Sequence, residues 1–112
     1  MKLRPAPDRE RSADAPLKAL ARAFAALDKP QDAQAFLRDL CTPAELEAMA
    51  DRWRVVPLLR KGVPYREIHE LTGVSVTTIG RVARSLEHGA GGYAAAIARL
   101  GARKTGIHRE MT

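Results

Sequence analysis

The stretch "LTGVSVTTIG", residues 71–80, decides the fold. Its β-branched residues Val74, Val76, Thr77 and Thr78 lead into Ile79 between two glycines, and by intrinsic preference that run favours a short strand and a turn. A lone strand with no partner would leave its backbone N–H and C=O groups unanswered, and β propensity yields to context. The flanking residues supply that context. In "PYREIHELTGVSVTTIGRVARSL", residues 64–86, Pro64 can open a helix in which Tyr65, Ile68 and Leu71 face inward, and Gly73 stands where a tight turn needs positive φ. Ser75 then caps a second helix, with Val76, Ile79, Val82, Ala83 and Leu86 at helical spacing. The segment reads as helix, turn, helix, its two helices packed through Ile68, Val74, Ile79 and Val82. Val76 lies at the edge of that seam and is open to either side.

On the second helix the outward positions are Thr77, Thr78, Gly80, Arg81 and Arg84. Short groups near the helix start let its backbone approach base edges in a major groove, while hydroxyls and guanidiniums reach bases or phosphates. Gly80 costs this helix about 0.8 to 1.0 kcal/mol relative to alanine, which close approach to DNA would explain; close packing against another helix is the alternative. For Arg81 and Arg84 the bland alternative is surface charge.

Working outward, "CTPAELEAM" carries a strong helix start. Thr42 can cap, Pro43 suits the first helical position, and Glu45 can reach back to complete a capping box. Leu46, Met49, Ala50, Trp53 and Val56 continue a buried stripe until Pro57, which predicts a kink, and Gly62 ends the segment. Upstream, Leu17, Leu20, Ala21, Phe24 and Leu27 share one helical face, and "QDAQAFLRDL" offers Phe36, Leu37 and Leu40 on a second short helix. Downstream, Gly89, Gly91 and Gly92 interrupt the chain before a last helix with Tyr93, Ile97 and Leu100 on one face, closed by Gly101. The organisation expected is a flexible arm over residues 1–12, an all-α domain over 13–101 with its helix-turn-helix at about 64–86, and a basic flexible tail over 102–112.

Composition agrees with helices and narrows the partner. The 112 residues include five aromatics (Phe24, Phe36, Trp53, Tyr65 and Tyr93), and much of the apolar content is alanine, which suits closely packed helices. Residues 52–84 hold seven Lys/Arg against two Asp/Glu, nearly all of the chain's net +6, whereas residues 1–51 are close to balanced. Such a local basic patch suits a polyanion, with double-stranded nucleic acid ahead of a membrane surface. One cysteine, Cys41, excludes an intrachain disulfide and a cysteine-based metal cluster. His88 and His108 are isolated, so no metal site is assigned. The single cysteine fits a reducing cytoplasm, and with no apolar run approaching the ~18 residues of a membrane span neither export nor anchoring is expected. "HGAGGY" lacks the strand before it and the lysine after it that a phosphate-binding loop needs, and no nucleophile with a base presents itself, so the chain is not read as an enzyme.

Residues 39–93, with "LCTPAE", "TGVSVTTIGR" and "HGAGGY", resemble the tryptophan repressor superfamily, closest to its YerC/YecD-type members. The resemblance implies a six-helix, all-α fold, an intertwined two-fold homodimer, and a helix-turn-helix on each subunit reading half of a palindromic operator as a transcriptional repressor. Helix-turn-helix dimers, the Trp repressor among them, meet half-sites one helical turn, ~34 to 36 Å, apart. Carried over residue by residue, the resemblance places Arg66, His69, Ser75, Val76, Thr77, Thr78 and Gly80 on DNA-facing positions, turning Val76 outward toward a thymine methyl and leaving His69 exposed. It also implies a small-molecule corepressor site from Thr42, Arg52, Arg81, Val82 and Ser85. Val82 departs from the pattern, because tryptophan-binding members have glycine there and a branched side chain intrudes on the space for the ring. The expected effector is therefore something other than tryptophan, or none; no other cofactor is implied. A non-enzymatic interaction module or an RNA-binding adaptor on the same scaffold stands as the alternative.

Overall fold

The computed structural model describes residues 14–111, with side chains through residue 102. The expected arm over residues 1–12 lies outside the described residues. Among those described there is no strand. The helices are α1 (Asp14–Ala25), α2 (Pro30–Leu40), α3 (Pro43–Arg54), α4 (Val56–Arg60), α5 (Tyr65–Thr72), α6 (Val76–His88) and α7 (Gly92–Met111). With α3 and α4 taken as one interrupted helix, the six expected helices are all present. The chain divides into two compact units, Met1–Leu46 and Glu47–Thr112.

In the first unit, α1 and α2 bury none of their residues. Phe24 and Phe36 meet across them with ring centroids 4.8 Å apart at a tilt of 48°, a favourable aromatic geometry. The start of α3 is fixed by the capping box that the sequence announces. The Thr42 amide donates to Glu45 Oε1 at 2.8 Å and the Glu45 amide donates to Thr42 Oγ1 at 3.2 Å, so two amides that lack helical partners are satisfied reciprocally.

The second unit is built on Val55, Val56, Ile68, Val74, Ile79 and Val82, all buried, with Leu58, Leu59, Val63, Leu86, Tyr93 and Ile97 packed against them. Pro57 acts as expected, through a break. Val55 lies between α3 and α4 with φ −84° and ψ −12°, which puts Pro57 in the first turn of α4, where its missing N–H is not required. The same break drives Val55 and Val56 into the core. Trp53, just before it, stacks parallel to Tyr93 of α7 at 6.3 Å.

Three expectations need correction. Of the stripe expected to be buried along α3, Met49 and Trp53 are exposed, and none of the residues of α3 is fully buried. Leu71 is 62% exposed and Tyr65 42% exposed, so of the three residues expected to face inward from α5 only Ile68 is buried. An eight-residue helix lying against α6 has room for one fully covered position. Further on, α7 does not close at Gly101 but continues to Met111. Gly101 has no left-handed φ, the conformation a terminating glycine uses, whereas Gly73 does, at φ 79°. A helical glycine weakens a helix without ending it.

Candidate nucleic-acid interface

The turn between α5 and α6 is held by side chains as well as by its glycine. Gly73, in left-handed conformation, returns its amide to the His69 carbonyl at 2.7 Å and closes α5. Thr72 Oγ1 donates to the Ile68 carbonyl at 2.7 Å and accepts from the Val74 amide at 3.1 Å. Val74 is thereby seated in the core between the two helices, and the β-branched run becomes the entry to a helix. Ser75 completes it. Its Oγ accepts from the Thr78 amide at 3.1 Å and donates to Thr78 Oγ1 at 3.0 Å, capping α6.

With Ile79 and Val82 buried against α4 and α5, the opposite side of α6 is fixed in position. Val76, Thr77, Arg81 and Arg84 are exposed there, and Thr78 and Gly80 are half-buried. Val76, open to either side in the sequence, turns outward at 49% exposure. Arg66 and His69 of α5 are exposed. Among the described residues none of Arg66, Arg81 and Arg84 has an acidic partner within ion-pair distance, the side-chain pairs being Arg54 with Asp51 and His88 with Glu87. Three guanidiniums held on a rigid helical scaffold with no internal neutralisation are free to meet external anions.

Two of the expected site residues have internal work, a His69 contact that sequence spacing did not reveal and the Ser75 cap that it did. His69 Nδ1 lies 2.7 Å from the Val74 carbonyl oxygen, five residues on and across the turn. Ser75 spends its hydroxyl on the cap. Gly80 lies at the edge of the outward side of α6, beside Tyr65 of α5: a Cβ built there would stand 3.7 Å from Tyr65 Cε2. Tyr65 itself was missed as a surface residue, and its position at the very start of α5, before the helix is fully covered, is the signal that could have found it.

The residues implied as an effector site are divided between the two units. Thr42 lies in the first, its hydroxyl engaged in the capping box and its carbonyl accepting from the Leu46 amide at 3.0 Å. In the second unit Arg52 and Arg81 are exposed, Ser85 is half-buried with its carbonyl bonded to the Gly89 amide, and Val82 is 1% exposed. The Val82 side chain is a core residue.

A basic helix presented by a glycine turn and packed across a shorter helix defines a helix-turn-helix protein. Comparison with known proteins makes the class specific: the family described as Trp repressor protein matches residues 15–101, and the chain belongs to that family. Among its relatives is the uncharacterised protein YerC of Bacillus subtilis (strain 168), 42% identical over 65 residues, which are 58% of this chain and 62% of the relative, so the chain spans less than two thirds of that protein. Two crystal structures are similar over most of the chain. One is of a TrpR like protein from Eubacterium eligens ATCC 27750, with TM-score 0.72 and 35% identity over 82% of this chain and 95% of the other. The other is of a candidate Trp repressor from Staphylococcus aureus, with TM-score 0.72 and 31% identity over 83% and 93%.

Proposed function

We propose that this protein is a sequence-specific, non-enzymatic DNA-binding transcriptional regulator that acts as a two-fold dimer on a palindromic operator in the cytoplasm. The observation that carries the reading is the outward face of α6, where Thr77 and Gly80 leave the backbone approachable and Arg81 and Arg84 have no ion-pair partner among the described residues. In this reading α6 enters the major groove from its Ser75 end. Thr77, Thr78 and Val76 meet base edges, the last through an apolar contact with a thymine methyl. Arg66, Arg81 and Arg84 neutralise phosphates and set the register, and His69 lies at the edge of the interface. Among the described residues no helix is long and apolar enough to cross a membrane.

Any corepressor in this reading is not tryptophan. Val82 fills its position with a buried branched side chain, and an indole placed there would have to displace core packing. Arg52 and Arg81 then serve phosphate contacts or hold a different small molecule, with Ser85 as a further polar group.

Selection of bound sequences from a random duplex pool tests the function, followed by a salt titration of duplex against single-stranded DNA. A duplex reader enriches a two-fold symmetric sequence and loses affinity steeply with salt. Equal affinity for single strands with no enriched sequence would instead support an RNA-binding adaptor.

A further inference from the structure

We infer that Tyr65 is an additional contact residue of the duplex-binding face, its phenolic hydroxyl donating a hydrogen bond to a backbone phosphate oxygen near Arg84. The inference rests on the reading of α6 as the DNA-facing helix and adds a group that neither charge nor helical spacing brings to that face.

Tyr65 opens α5, and its ring leans across the groove between the two helices. Its Cε2 atom lies 3.7 Å from the point a Cβ on Gly80 would occupy, which is van der Waals contact with the outward side of α6. The ring forms a shared wall of two open grooves. One, of about 400 Å³, is lined by Tyr65 with Gly80, Ala83, Arg84, Glu87 and His88. The other, of about 390 Å³, is lined by Tyr65 with Leu59 of α4, Val63 of the α4–α5 turn, and Ala83 and Leu86 of α6.

A tyrosine placed this way is divided by chemistry. The apolar ring rests against Gly80, and the polar end belongs in water or on a partner. Among the described residues its hydroxyl has no hydrogen-bond partner, and Arg84, on the same groove, has no ion-pair partner. A neutral donor and an unpaired guanidinium on one groove are complementary to a phosphodiester, whose oxygens accept from both, and tyrosine hydroxyls are among the groups that make such contacts. The ring's rest on α6 fixes the donor before binding, so little ordering is needed when the phosphate arrives.

The test compares Tyr65→Phe with the unaltered protein on a duplex selected by the unaltered protein from a random pool. Phenylalanine keeps the ring and its contact with Gly80, so the melting temperature stays the same. Loss of one hydrogen bond to a charged acceptor weakens binding by about tenfold. Because the lost group carries no charge, the slope of affinity against salt is unchanged and the order of preference among sequences is kept. Arg84→Ala, by contrast, lowers that slope. Equal affinity of Tyr65→Phe and the unaltered protein would overturn the role of the hydroxyl while leaving the DNA reading in place. Failure of the unaltered protein to enrich any duplex would overturn both.

Discussion

His69 Nδ1 and the Val74 carbonyl oxygen are 2.7 Å apart, and that contact straps the last turn of α5 to the start of the loop leading into α6. A carbonyl can only accept, so Nδ1 carries the proton and, in the neutral ring, Nε2 is left as an acceptor. The turn is thus braced on two sides, by His69 and by the Thr72 hydroxyl between Ile68 and Val74. His69→Ala removes one brace. The expected loss of stability is about 0.5 to 1.5 kcal/mol, read from the urea midpoint at unchanged m-value. An unshifted midpoint would mean that the strap contributes nothing in solution.

Ser75 separates capping from DNA contact. Ser75→Ala takes away the acceptor for the Thr78 amide and is expected to cost about 1 kcal/mol. Ser75→Asp restores an acceptor and places negative charge at a helix N-terminus, where it is favourable. The aspartate variant should melt like the unaltered protein and yet bind duplex far more weakly, since its carboxylate meets phosphates at the tip of α6. Full duplex affinity in that variant would mean that the tip does not approach DNA.

Gly80 offers the reverse combination. It has no left-handed φ, and an added Cβ would make ordinary contact with Tyr65, so nothing within the described chain demands a glycine. Gly80→Ala is expected to raise stability by about 0.8 to 1.0 kcal/mol through helix propensity. In a groove-inserted helix the methyl group stands on the approaching face, so affinity for the selected duplex falls while the melting temperature rises. A stabilised variant with undiminished affinity would remove Gly80 from the interface.

What the sequence could reveal was set by the range of the interactions. The Thr42–Glu45 box, the Ser75 cap, the Gly73 turn and the break near Pro57 depend on residues at most a few positions apart, and each follows from its own stretch of chain. The outward residues of α6 were legible as the complement of the buried stripe of Ile79 and Val82. Burial depth was not. Tyr65 and Leu71 share a helical face with Ile68, but only neighbouring elements decide how far that face is covered. The His69–Val74 strap crosses a turn and obeys no helical period, and an interior glycine such as Gly101 differs from a terminating one by a φ value that composition does not encode.

Arg84 supplies the measure of phosphate contact. Each neutralised phosphate contributes about −0.9 to the slope of log affinity against log salt. Arg84→Ala should make that slope shallower by about 0.9 for every phosphate that Arg84 meets, and should weaken binding to all duplexes by a similar factor. Thr77→Ala should leave the slope alone and change the order of preferred sequences. Exchange of those two outcomes would rotate α6 in the groove, putting Arg84 on a base and Thr77 on the backbone.

The dimer in the proposed function has its own physical test in α1 and α2. Neither helix buries a residue, and Leu17 at 62% exposure, with Leu20 and Leu40 also exposed, leaves a leucine-bearing surface open to water. A second copy of the chain is the occupant that a two-fold operator requires, and its burial of those leucines would stabilise both subunits together. Stability of such a dimer rises with protein concentration by mass action, so the midpoint of thermal unfolding should climb as the protein is made more concentrated. Leu17→Asp places a charge in that surface. The variant is expected to sediment at the mass of one chain, to melt at a lower temperature independent of concentration, and to lose affinity for the symmetric duplex more than for a single half-site. If the unaltered protein sediments as one chain under conditions where it binds the full duplex, the two half-sites are filled by separate subunits and the leucines of α1 serve another contact.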